Sequence, residues 1–84
     1  MSKNAEMFIA YICMQLKKEN DPEKIRPEEL EMTPEELILA GEELKRIGLL
    51  PNFAVTKKNN SGIRIWFIGE VSPQAMKQVD EWMK

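Results

Sequence analysis

The chain has no histidine and only one cysteine, Cys13, among its 84 residues. These two absences remove the usual zinc-ligand spacings and any disulfide within the chain. They also remove the Cys/His and Ser/His pairs that nucleophilic catalysis needs. The serines are Ser2, Ser61 and Ser72, at a terminus, in a turn and at a helix cap. The glycines are scattered, so no phosphate-cradling loop exists. Long apolar runs are missing too. The longest, Phe8 to Met14, is far short of the ~20 residues a bilayer span requires. It ends in Gln15, Leu16, Lys17 and Lys18, and Lys3 alone is a weak basic start for a secretory leader. The expectation is a non-enzymatic chain with no catalytic residues, metal, cofactor or small-molecule ligand and no membrane partner. Its cysteine usage fits a reducing cytoplasm.

Charge of either sign is not scarce, but it is unevenly spread. Met1 to Leu50 carries seven basic and eleven acidic side chains, and Pro51 to Lys84 carries five basic and three acidic. Neither half is the dense cationic patch typical of a nucleic-acid binder. A chain of this length is a single domain, residues 1–84, that buries roughly 60–65% of the surface its unfolded form exposes.

Periodicity and punctuation divide the chain into five elements. A helix is predicted from about Lys3 to Lys18, with Ala5, Phe8, Ile9, Ile12 and Leu16 on one face and Cys13 at its border. Its other side, with Met7, Ala10, Tyr11 and Met14, is also apolar, so the helix is central or covered. Asn20-Asp21-Pro22 ends it. Lys24-Ile25 suits a brief strand, and Arg26-Pro27-Glu28-Glu29-Leu30 a short helix opened by proline. Thr33-Pro34-Glu35-Glu36 is a capping box that opens a helix running to about Ile47, before Gly48. Leu37, Ala40, Gly41, Leu44 and Ile47 form its apolar stripe, and Leu49 and Leu50 continue inward. Phe53–Thr56 and Ile63–Ile68 read as a hairpin around Lys57–Gly62. Ile63, Ile65 and Phe67 fall on one face of its second strand, and Arg64, Trp66 and Ile68 on the other. Ser72-Pro73 caps a last helix whose apolar face is Ala75, Met76, Val79, Trp82 and Met83.

This order resembles a winged helix. Ile25-Arg26-Pro27-Glu28-Glu29-Leu30-Glu31-Met32-Thr33-Pro34-Glu35-Glu36-Leu37 is similar to the passage in that superfamily where a short helix turns into the next. Leu44-Lys45-Arg46-Ile47-Gly48-Leu49-Leu50 resembles the Leu-Lys-Arg-x-Gly run that leads into the wing. Ser72-Pro73 is similar to the Leu-Thr-x-x-Gly start of the last helix, although the glycine is absent. Size and layout resemble most the small YjcQ-like proteins of bacteria and their phages, over roughly Ile25 to Met83. The resemblance implies an α+β winged-helix fold: a three-helix core, a β-hairpin wing and a C-terminal helix. It also implies a regulatory or DNA-binding role, with no mechanism attached.

Two binding surfaces are candidates. For DNA, the third helix is a poor reader. Its outward side presents Glu35, Glu36, Glu42 and Glu43 against Lys45 and Arg46, and DNA affinity comes mainly from cations. The wing is better placed, with Lys57, Lys58, Asn59, Asn60 and Arg64 able to reach phosphates or a minor groove. The competing reading is an ordinary hairpin whose lysines protect an edge strand. For protein, the surplus apolar residues Met7, Tyr11 and Met14, with Ile38 and Leu39 on the third helix, suit an adaptable contact surface. Trp66 and Trp82 are large side chains whose indole nitrogens want partners. Winged-helix proteins often dimerise through terminal helices, which extends to a homodimer here. Alternatively the last helix simply covers the first. The leading expectation is a regulatory domain acting on a protein partner or on itself. A DNA-binding regulator is the alternative, and an acidic DNA-mimicking inhibitor a third.

Overall fold

The computed structural model describes residues 1–56 and 65–84. Among them three α-helices and one two-stranded antiparallel sheet form an α+β arrangement: α1 (Lys3–Lys17), α2 (Pro34–Arg46), β1 (Ala54–Val55), β2 (Trp66–Phe67) and α3 (Pro73–Trp82). Two single 3₁₀ turns, Pro22–Lys24 and Pro27–Leu30, join α1 to α2. No helix of the described residues is long and apolar enough to cross a membrane.

Local chemistry fixes the helix ends. Ser2 caps α1 by accepting from the Ala5 amide, and Ser72 caps α3 by accepting from the Ala75 amide, both at 3.2 Å. At α2 both halves of the capping box are made. Thr33 Oγ1 accepts from the Glu36 amide at 3.1 Å, and Glu36 Oε1 accepts from the Thr33 amide at 2.9 Å. Gly48 then takes φ +86°. That lets the Leu49 and Leu50 amides fold back onto the Leu44 carbonyl, the kind of left-handed stop at which a side chain is strained.

The core lies where α1 crosses α2 and α3. Phe8, Ile9, Ile12, Leu37, Leu44, Leu50, Phe53, Ile68 and Val79 are its largest fully buried side chains. Gly41 is the close-packing point. A Cβ there would sit 2.2 Å from Phe53 Cζ, so only glycine lets the ring lie flat on α2. The other side of Phe53 meets Phe8 edge-on, with centroids 6.3 Å apart and planes at 85°, the favoured geometry for an aromatic pair.

The ribbon pairs Ala54 with Phe67 and Val55 with Trp66. Phe53 and Ile68 are buried, Val55 and Trp66 half-buried, and Ala54, Thr56, Ile65 and Phe67 exposed. The predicted alternation therefore holds over Ile65–Ile68, and the row containing Trp66 and Ile68 faces the body. Ile63, Arg64 and the wing residues Lys57, Lys58, Asn59 and Asn60 lie outside the described residues.

Several expectations are corrected. Lys24-Ile25 is not a strand: Ile25 is extended and buried but pairs with nothing in a ladder. The helix expected at Arg26–Leu30 is one 3₁₀ turn of four residues, ended by Glu31 at φ 56°. Two prolines within six residues and a left-handed glutamate leave no room for an α-helical turn to propagate. Leu16 and Ile47, placed on buried stripes, are exposed: Leu16 lies in the last turn of α1 and Ile47 is the C-cap of α2, and stripes commonly fray into solvent at helix ends. Trp82 and Met83 are likewise exposed at the end of α3. Ile38, expected on the surface, is only 2% exposed. It lies about 100° round the wheel from Leu37, and the face of α2 that the fold covers is wider than the stripe.

Candidate interaction surfaces

The surplus apolar side of α1 divides in two. Met7 and Tyr11 are half-buried and packed against the core. The Tyr11 hydroxyl donates to Glu29 Oε2 in the second 3₁₀ turn. That bond to the carboxylate holds the Tyr11 pKa above its ordinary value, with partial burial and the negative charge of Glu29 adding to the effect. The linker between α1 and α2 therefore covers much of this flank. Met14, one turn further, stays exposed. On α2, Leu39 is 64% exposed while its neighbour Ile38 is enclosed. Of the five residues Met7, Tyr11, Met14, Ile38 and Leu39, only Met14 and Leu39 are exposed.

The exposed apolar side chains collect elsewhere. Lys17 Nζ bonds Asp80 Oδ1, which sets the last turn of α1 beside the second half of α3. Leu16 precedes that pair, and Trp82 and Met83 follow it. All three are exposed. Both apolar stripes run on past the region where α1 and α3 cover each other. A second exposed set is the outer face of the ribbon, with Ile65 53% and Phe67 51% exposed. The sequence could not choose between the two rows of β2, since both are apolar. Phe53 decided it: its ring fills the space over Gly41, and register then takes Ile68 inward opposite it.

The acidic side of α2 is structured. Glu43 Oε2 accepts from the Ser2 amide at 2.7 Å, and this bond holds the Glu43 carboxyl below its usual pKa. Glu36 is lowered likewise, chiefly by the backbone bond from Thr33, with its hydroxyl and the Asn4 side chain contributing. Glu43 thereby fastens the start of α1 to α2, and Glu36 closes the capping box. Glu35, Glu36 and Glu42 are exposed on this helix and Glu43 is half-buried. Sequence reading treated all four as one solvated face. The Ser2–Glu43 bond spans 41 residues and leaves no local signature.

Glu23 was also missed. Its Oε1 accepts from the Ile68 amide at 2.7 Å and its Oε2 from the Gly69 amide at 3.4 Å. The first 3₁₀ turn, capped by Asp21 accepting from the Glu23 amide, aims that carboxylate at the end of β2. A groove of about 270 Å³, lined by Glu23, Ile25, Ile65 and Trp66, runs beside it. Cys13 is fully buried, and burial pushes its thiol pKa up, so it behaves as a small apolar core residue. Among the described residues no cluster of cysteine and acidic side chains is arranged to hold a metal ion. Comparison of the chain with protein-family models, curated proteins and solved structures gives no match.

Proposed function

We propose that this chain is a small winged-helix domain of regulatory type, without catalytic activity, that works by contact with another protein chain, a second copy in the first instance. The order of helix, linker turns, capped helix, two-stranded ribbon and terminal helix supports the winged-helix reading. So does the extended, buried Ile25 just before the second 3₁₀ turn. The contact reading rests on one observation. Leu16, Trp82 and Met83, large apolar side chains from two helices, are exposed at the end where the Lys17–Asp80 pair joins α1 to α3. Large apolar side chains left exposed near one end of a fold are candidates for an interface. Aromatic and methionine side chains are enriched in such surfaces. The lack of histidine and the burial of the one cysteine support the non-catalytic reading.

Sedimentation at rising concentration tests this. The expected result is reversible association that Trp82→Ala with Met83→Ser weakens without loss of helicity. A monomer at every concentration up to high micromolar removes the self-association reading. The DNA-binding alternative rests on Lys57, Lys58 and Arg64, and predicts salt-sensitive binding of duplex DNA that their replacement by alanine abolishes. The exposed Glu35 and Glu42 on α2 weigh against reading by that helix.

A further inference from the structure

A two-stranded ribbon has two edges, and register shows which backbone groups lie on them. The Thr56 amide donates to the Ile65 carbonyl at 2.8 Å and the Ile65 amide returns a bond to the Thr56 hydroxyl at 3.0 Å, so Thr56 and Ile65 stand at a hydrogen-bonded position of the ladder. Such pairs alternate along an antiparallel ladder. With Val55 opposite Trp66, the backbone groups of Trp66, and two residues later those of Ile68, point away from β1. This is the edge a third strand would use, and Ile25, extended and buried, runs close by across the groove it shares with Trp66. No strand forms there among the described residues. The Glu23 carboxylate takes the Ile68 amide instead, and its second oxygen takes that of Gly69.

We propose that Glu23 is an edge guard: a carboxylate that occupies the outward amide of Ile68, just past the end of β2, and so prevents a second copy from pairing its own strand along that edge. The would-be partner is another copy because this edge is self-complementary. In antiparallel pairing about a two-fold axis at Trp66, that residue meets its own counterpart and Ile65 meets Phe67. Exposed apolar side chains would then stand opposite one another along the outer face, and cross-strand apolar pairs of this kind stabilise sheets. Inward-pointing charge is a known means of blunting such an edge. The guard acts at β2 and is independent of the α1–α3 end.

The test is made on the Trp82→Ala, Met83→Ser background, so that association through the helix ends does not contribute. Glu23→Ala is expected to raise the weight-average mass toward twofold, the value of a closed dimer, at concentrations where its parent is monomeric. Glu23→Gln, whose amide oxygen still accepts from Ile68, is expected to match the parent. In the wild type, hydrogen exchange at the Ile68 amide is expected to be at least about tenfold slower than at Trp66. A folded Glu23→Ala protein with the parent's mass overturns the proposal. So does Glu23→Gln associating as strongly as Glu23→Ala, or an Ile68 amide that exchanges as fast as Trp66. If Glu23→Ala does not fold, the exchange measurement decides alone.

Discussion

The junction of α1 with α2 and the junction of α1 with α3 begin from the same kind of sequence, an apolar stripe at helical spacing, and end differently. At the first, the stripe is closed. Phe53 lies on Gly41, Phe8 meets Phe53 edge-on, and Leu37 and Leu44 are fully buried. The Ser2 amide and the Glu43 carboxylate then seal the helix start. At the second, Ala75 and Val79 are buried, but Leu16, Trp82 and Met83 continue the pattern into solvent, bridged by one surface ion pair. Periodicity marks the face of a helix that can be buried. How far along its length burial goes depends on where the partner element stops.

The sharpest way to break this contrast is at Gly41. Gly41→Ala forces a Cβ into the Phe53 ring, and because that ring is itself enclosed, the expected loss is about 3 kcal/mol, near the upper end for overpacking. Phe53→Leu in the same chain should return part of it, so the double variant should be more stable than the two single losses added together. Urea unfolding of the three variants measures this. Additive losses would show that Gly41 and Phe53 are not in contact.

The α2 cap is the next largest. Thr33→Ala should cost about 1 kcal/mol. The partner acid makes this junction pH-sensitive. The folded Glu36 pKa is depressed by the capping bonds, so its contribution is complete above the unfolded value of about 4.3. It fades as pH falls through the lower folded value. Glu43 acts in the same direction. Thermal melts between neutral pH and pH 3 should therefore show a decline that begins below about pH 5 and is shallower in Glu36→Gln. A steeper decline in that variant contradicts the assignment.

The smallest effects belong to the α1–α3 end. Lys17→Ala and Met83→Ser should each change stability by less than about 0.5 kcal/mol, since Lys17, Asp80 and Met83 are all about half exposed. A loss above about 1 kcal/mol at Met83, beyond the usual range for surface substitutions, would mean that this end is already closed in the isolated chain and is no contact surface.

Much of the fold was legible from the residues. The capping box at Thr33–Glu36, the serine cap of α3, the stop at Gly48 and the pleat alternation in β2 all depend on neighbours within a few positions, whereas Ser2, read as a terminus, also caps α1. The candidate surfaces were less legible. Leu39 and Met14 were placed correctly on the outside. Met7 and Tyr11 are half-buried against the core, Tyr11 also bonding Glu29 of the linker, and Ile38 is buried, because α2 is embedded on a wider face than its stripe suggested. The wing residues lie outside the described region. Met83, Ile65 and Phe67, each about half exposed, were not among the candidates, since each sits in an apolar row that reads as core.

Hydrogen bonds and spacings a few residues long were enough to write the helices, their caps and the two strands into the amino-acid order. Three things depended instead on groups far apart in the chain being brought together: which apolar row of the ribbon turned inward, where the stripes of α1 and α3 ran out of cover, and that a carboxylate 45 residues away would stand in for a missing strand. Local bonding is set by neighbours, whereas burial is a property of the whole packed body.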